Sequence, residues 1–314
     1  MTEAIDRFLL AKRAENASPN TIRAYRADLS ELSAFIGVQQ RPEQLTRDMV
    51  RSFLAILHHG GKAKTSANRK LSAIKSFVGW LRSDGIILDD NFDKIATIKR
   101  PKSPSVLPDV PSQEQMSILL DGDFPTAFPQ RDRLLLELLY GSGLRVSEAA
   151  QIKLQDLRPE QNAILIHGKG GPYGKSAKFR LVPLNARSRA ALDVYLVERE
   201  KIVIKRKLET DVLFFPVRDR YSRGKQGSLN VRSVHRMPLH IAKLRGLSPM
   251  HPHLLRHACA THMLDNGCPL DVIGTILGHQ DLDVTAHYAQ VSTRLMMKEY
   301  NRAHPCAEQH QANG

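Results

Sequence analysis

Residues 251–262 read HPHLLRHACATH, and the chemistry of these twelve positions decides what kind of protein carries them. Six of the chain's 13 histidines fall between His251 and His287, a clustering that needs a chemical reason. His253 and His257 stand four apart, so a helix would put both on one face, as in zinc sites of the HExxH kind. The residues between them are Leu254, Leu255 and Arg256. That leaves no carboxylate to act as a general base, and it puts a permanent cation where a metal would sit. A guanidinium repels a second cation and matches two oxygens of a phosphate. Pro252 holds His251 in extended backbone, so His251 and His253 flank a helix start. The stretch reads as the phosphate-facing end of a helix, with His257, Cys259 and His262 as packing or supporting residues rather than ligands.

The totals agree. The 314 residues carry 46 Lys and Arg against 32 Asp and Glu, a formal net charge of +14. This excess favours a polyanionic partner, because each Lys or Arg that neutralises a phosphate releases a condensed counterion. Hydrophobic residues at 42% against 25% charged suffice for packed cores and exclude a disordered class. The length suggests two domains. The opening MTEAIDRFLLAKRAENAS places acids early and lacks the basic-then-apolar order of a secretion signal. No apolar run approaches the roughly 20 residues of a membrane span; RDRLLLELLYG is short and interrupted by Glu137. Cys259, Cys268 and Cys306 form no CxxC and cannot all pair, which suits a reducing compartment. The expectation is a cytoplasmic, nucleoid-associated protein with no membrane partner.

Residues 1–98 read as helices. In SPNTIRAYRADLSELSAFI, Ser18 is placed to cap and Pro19 to take the first helical position. RDMVRSFLAILHHGG and TSANRKLSAIKSFVGWLRSDG repeat the helical spacing and close at glycine. The second sets Arg69, Lys70, Lys75 and Arg82 around an apolar stripe, as a face either solvated or turned to DNA. Residues 99–111 concentrate prolines and read as an extended linker. Beyond it, 112–305 mix helices with two short strands, Ile164–His167 and Phe179–Pro183, joined by a glycine-rich loop. A helix over Ala186–Glu200, a short strand in DVLFFP and further helices follow, and 306–314 form a tail. The fold class expected is mainly α with a small antiparallel β-sheet in the second domain.

Three further stretches carry candidate chemistry. GSGLRVSEAA puts Arg145 and Glu148 three apart at a helix start, where the carboxylate can hold the guanidinium. No GxxxxGK[ST] or GxGxxG accompanies it, so no nucleotide-binding loop is present. IHGKGGPYGK projects Lys169 from a turn, where it can donate a proton, and Lys175 and Lys178 compete for that role. LGHQDLDVTAHY offers His279 and Tyr288. A phenol with its usual pKa of about 10 is a poor nucleophile unless nearby cations favour the phenolate.

In order, GLRVSE with Arg145 and Glu148, GKG with Lys169, PHLLRHACATH with His253 and Arg256, and LGHQDLDVTAHY with His279 and Tyr288 resemble the motif series of the tyrosine recombinase (phage integrase) family. Length and layout are most similar to the bacterial Xer-type recombinases, and the resemblance covers nearly the whole chain. It implies a two-domain, C-shaped DNA clamp. Residues 1–98 would be a helical, SAM-like core-binding domain, 99–111 the linker and 112–305 the catalytic domain. It also implies phosphoryl transfer with no metal, ATP or other cofactor. Tyr288 would attack a DNA phosphate to give a 3′-phosphotyrosyl enzyme. Arg145 and Arg256 would hold the non-bridging oxygens and Lys169 would protonate the leaving 5′-oxygen. His253 would bond the phosphate and handle the tyrosine proton, His279 would be a further donor to the phosphate, and Glu148 would support Arg145. The implied partners are double-stranded DNA with a specific recombination site and a homo- or heterotetramer with a related recombinase. The implied role is chromosome or plasmid dimer resolution, with integration of a phage or transposon as the alternative.

Some features depart from the family pattern. The loop after GKG is long, and residues 199–236 read as an enlarged basic loop, with Pro238 breaking the next helix. Gln290 stands where the family often has histidine, and Cys259 reads as buried and inert. In STRLMMKEYNRAHP, Leu295, Met296 and Tyr300 are available either to a neighbouring protomer or to their own domain. A type IB topoisomerase and a catalytically inactive DNA-binding regulator are the rival functions.

Overall fold

The computed structural model describes residues 1–37, 39–59, 64–99, 110–168, 179–216, 224–225, 227–278 and 293–306. The chain divides into two compact units, Met1–Leu107 and Pro108–Gly314. Among the described residues, no helix is long and apolar enough to cross a membrane.

The first unit contains helices α1 (Thr2–Ala14), α2 (Pro19–Ile36), α3 (Arg47–His59), α4 (Lys64–Ser83) and α5 (Asp89–Ala96). As the sequence indicates, Ser18 caps α2: its Oγ accepts the Thr21 N–H at 3.1 Å, and Pro19 fills the first turn. Phe8, Leu29, Leu71 and Phe77 are fully buried, with the rings of Phe8 and Phe77 edge to face at 5.4 Å. Of the basic residues of α4, Arg69 and Arg82 are exposed as expected, but Lys70 is not. Lys70 is only 5% exposed, and its Nζ lies 3.2 Å from Asp28 Oδ1 and 2.6 Å from Glu31 Oε2. Arg69 also bonds Asp28, Lys75 donates to the Ala96 carbonyl and Arg82 to Asp89. A buried ammonium persists only with such partners, and these come from α2, some forty residues away in sequence.

The second unit is mainly helical, with a small antiparallel sheet, as expected. Strands β1 (Leu157–Arg158), β2 (Ala163–His167) and β3 (Phe179–Pro183) lie in that order, with Ile164 opposite Val182 and Ile166 opposite Arg180. Around them stand α6 (Gln113–Leu120), α7 (Pro129–Gly141), α8 (Val146–Gln151), α9 (Ala186–Arg206), α10 (Val231–Leu244), α11 (Pro252–Asp265), α12 (Leu270–Leu277) and α13 (Thr293–Ala303). A second pair, β4 (Leu208–Glu209) with β5 (Gly224–Lys225), is parallel. Helix α7 is buried from Leu134 to Gly141 and packs against α9 and α11, forming the axis of the core.

Three expectations are corrected. REKIVIKR belongs to α9, which runs to Arg206, so the basic loop cannot begin at 199. Helix α10 continues through Pro238; the lost backbone bond costs about 3 kcal/mol, offset by burial of Val234, Met237, Ile241 and Ala242. DVLFFP is not a strand. Only Val212 bridges Lys153, while Leu213 and Phe214 enter the main core and Phe215 a smaller cluster, so its apolar side chains are buried without a ladder. Of the two settings open to α13, Met296 and Tyr300 take their own domain: they are 3% and 0% exposed and pack in its core, while Leu295 stays exposed.

Tyr300 also donates from Oη to the Gly141 carbonyl at 2.5 Å, at the end of α7. Tyr300→Ala is therefore expected to destabilise the isolated monomer by about 3–5 kcal/mol in urea titrations. A shift under about 0.5 kcal/mol would mean that α13 draws its stability from elsewhere.

Candidate active site

The site is built from parts far apart in sequence. Arg145 stands immediately before α8, and its backbone N–H donates to Glu148 Oε2 at 2.8 Å, the carboxylate reaching back to cap the helix start. The same carboxylate takes the Arg145 side chain, Nη1 to Oε1, at 2.9 Å. The support of Arg145 by Glu148 is thus visible as geometry. Gly143, two residues earlier, has φ +58°, and a Cβ there would lie 2.4 Å from the buried Leu277 Cδ2. Only glycine fits both that backbone and that space.

Helix α11 starts at Pro252 as expected, and His251 caps it: its Nδ1 accepts the Leu254 N–H at 3.1 Å. Arg256, one turn in, is 6% exposed. Its guanidinium donates to the Gly143 carbonyl at 2.6 Å and to the Leu277 carbonyl at 2.7 Å. His253 is exposed on the same helix, its ring stacked 6.5 Å from His251 and edge-on 5.9 Å from His257. His262 points inward to the Tyr140 hydroxyl, 2.9 Å from Nδ1, and Cys259 is fully buried, as their reading as packing residues requires, whereas His257 is exposed and does not pack in the core. Among the described residues, no group of three or more His, Cys, Asp or Glu side chains is arranged to hold a metal ion.

These pieces converge on the end of α12. Its last carbonyls lack helical partners and carry the negative end of the helix dipole. The Leu277 carbonyl receives Arg256 and, at 3.4 Å, Arg145 Nη1, while the Gly278 carbonyl receives Arg145 Nη2 at 2.9 Å. Arg180, which the sequence reading did not single out, donates from Nε to the Ile276 carbonyl at 2.8 Å. It also grips both oxygens of Glu148, at 2.9 and 2.8 Å. The available signal was an arginine inside the otherwise apolar strand FRLVP. Lys169, its competitors Lys175 and Lys178, His279 and Tyr288 lie outside the described residues.

The electrostatics follow from these contacts. Burial, then the Arg145 charge, push Arg256 down to about 10, which still leaves it cationic at neutral pH. Burial alone would raise the Glu148 carboxyl; the bonds and charge of Arg180, then of Arg145, carry it below its usual 4.5. Burial, then His257, His251 and the two arginines, lower His253 below 6.5, so at neutral pH its imidazole is uncharged and can accept a proton.

Residues 112–294 match the family described as the phage integrase family, and residues 5–85 the phage integrase N-terminal SAM-like domain. The chain belongs to the phage integrase family and is a tyrosine recombinase. It is 33% identical over 308 residues to the tyrosine recombinase XerC of Thermodesulfovibrio yellowstonii, covering 95% of this chain and 94% of that one. To the tyrosine recombinase XerD of Listeria innocua it is 32% identical over 314 residues, covering 98% of this chain and all of that one. A crystal structure of a lambda integrase tetramer bound to a Holliday junction shares the fold, with a TM-score of 0.66 at 18% identity, over 91% of this chain and 76% of that one.

A carboxyl group held below its unfolded value stabilises the fold fully above that value, and the contribution is lost as pH falls through the folded one. Glu148→Gln is therefore expected to lower stability by about 3 kcal/mol at neutral pH. The gap between the urea midpoints of variant and parent should narrow as pH falls below 4.5. A gap that stayed constant into acid would show that the Glu148 charge contributes nothing.

Proposed function

We propose that this chain recombines DNA at a specific site through a 3′-phosphotyrosyl intermediate, in the manner of the Xer recombinases, and serves chromosome or plasmid dimer resolution. The observation that carries this reading is the pair of guanidiniums, Arg145 and Arg256, gathered at one helix end, with His253 exposed on the helix that carries Arg256. Two fixed cations suit the two non-bridging oxygens of a phosphodiester, where charge accumulates in the transition state. The match to XerC and XerD sequences along nearly their whole length supports the Xer-like role over the mobile-element alternative.

The steps balance without an external energy source. The Tyr288 oxygen bonds to phosphorus as its proton passes to His253. The bond from phosphorus to the 5′-oxygen breaks, and Lys169 protonates that oxygen, with Lys175 and Lys178 as the other candidates. Arg145, Arg256 and His279 hold the phosphate throughout, and Glu148 keeps Arg145 in place. The tyrosyl ester retains the bond energy, so the 5′-hydroxyl of a partner strand can displace Tyr288 and reseal the DNA. Exchange needs two duplexes. The lambda integrase tetramer on a Holliday junction supports a homo- or heterotetramer here, acting on double-stranded DNA.

A duplex nicked near the cleavage site traps the covalent adduct by losing its leaving strand. Parent protein is expected to accumulate the adduct, and Tyr288→Phe to form none while binding the same DNA with similar affinity. An adduct that persisted in Tyr288→Phe would disprove the nucleophile. Footprints confined to the ends of an excisable element would replace dimer resolution by integration.

A further inference from the structure

We infer that Arg180 is the positioning residue that sets the geometry of both phosphate-binding arginines. This rests on the recombinase reading above and deepens it. A carboxylate offers about four acceptor positions, and those of Glu148 are filled by two arginines. Oε1 takes one guanidinium nitrogen each from Arg145 and Arg180, and Oε2 takes the Arg145 backbone N–H and a second nitrogen of Arg180. Without Arg180, the bonds that remain all come from Arg145, the group whose position is at stake. The carboxylate would then be oriented by Arg145 instead of orienting it.

Arg180 reaches the other arginine through the helix end. Its Nε holds the Ile276 carbonyl, adjacent to the Leu277 carbonyl that Arg256 and Arg145 share. One planar guanidinium thus ties the start of α8 to the end of α12. Its base is rigid, because Arg180 lies on β3 opposite Ile166 of β2. All three of its guanidinium nitrogens are engaged, Nε by Ile276 and both Nη by Glu148, so it acts through its neighbours. The space is made for it: a Cβ on Gly278 would come within 3.0 Å of Arg180 Cδ and Nη1, and φ +66° there also favours glycine. A lysine supplies one charged point and cannot span two carboxylate oxygens and a carbonyl together. Buried ion pairs are seldom needed for stability, since apolar residues often serve as well. Three fork-shaped contacts beside Arg145 are what geometric control requires.

The test uses the full chain and the nicked duplex, measuring DNA affinity, melting temperature and adduct formation at saturating DNA. Arg180→Ala and Arg180→Lys are each expected to slow adduct formation on the order of 10²-fold, with DNA affinity little changed. Because Arg180 acts on Arg145 through Glu148, combining Arg180→Ala with Glu148→Gln is expected to slow the reaction by less than the product of the two single losses. A parental rate in Arg180→Lys overturns the inference, as do fully additive losses or a defect confined to affinity. Should Arg180→Ala fail to fold, Arg180→Lys, which keeps the charge, carries the test alone. Tyr288→Phe on the same substrate separates the failures: an adduct there disproves the nucleophile, not the role of Arg180.

Discussion

Three guanidiniums meet at the C-terminal end of α12, on the consecutive carbonyls of Ile276, Leu277 and Gly278. Left to themselves, three like charges would separate. Two sources of negative charge hold them: the helix end, equivalent to roughly half an electron charge, and the Glu148 carboxylate. One carboxylate cannot neutralise three cations, so the cluster keeps a net positive charge in a partly dry setting. Burial first, and then the neighbouring charge of Arg145, lower the proton affinity of Arg256. A phosphodiester would relieve the excess positive charge, and the transition state of phosphoryl transfer, richer in oxygen charge, would relieve it further.

The rest of the second unit serves this convergence. Helix α7 forms the buried axis, and the turn through Gly143 brings Arg145 off its end beside α11 and α12. Cys259 packs next to Gly143, and burial raises its thiol to about 12, so the sulfur acts as an apolar filler. At the same end of α7, the Tyr300 hydroxyl donates to the Gly141 carbonyl, fixing α13 to the same axis. The frame is dense and apolar, and the reactive face is carried by helix ends and one short strand.

What the sequence revealed was local. Ser18–Pro19 as a helix start, His251 before α11 and the Arg145–Glu148 pairing all depend on residues within a few positions of one another. What it hid was decided at long range. Lys70 looks like a surface lysine until α2 supplies Asp28 and Glu31. Arg180 looks like one basic residue among many until Glu148 and Ile276 arrive from other elements. DVLFFP has strand composition, but its neighbours bury it as irregular chain. Pro238 obeys its helix-breaking preference only where no buried face outweighs it.

The central claim is that Arg145 and Arg256 act on the negative charge of the scissile phosphate. It is tested most directly by replacing that phosphate with a neutral methylphosphonate, which removes one charged oxygen while keeping the leaving group. Arg145→Ala and Arg256→Ala should each be nearly inert on the phosphodiester and regain adduct formation on the methylphosphonate, where less charge needs stabilising. Variants equally inactive on both substrates would show that these arginines do something other than hold the charged oxygens.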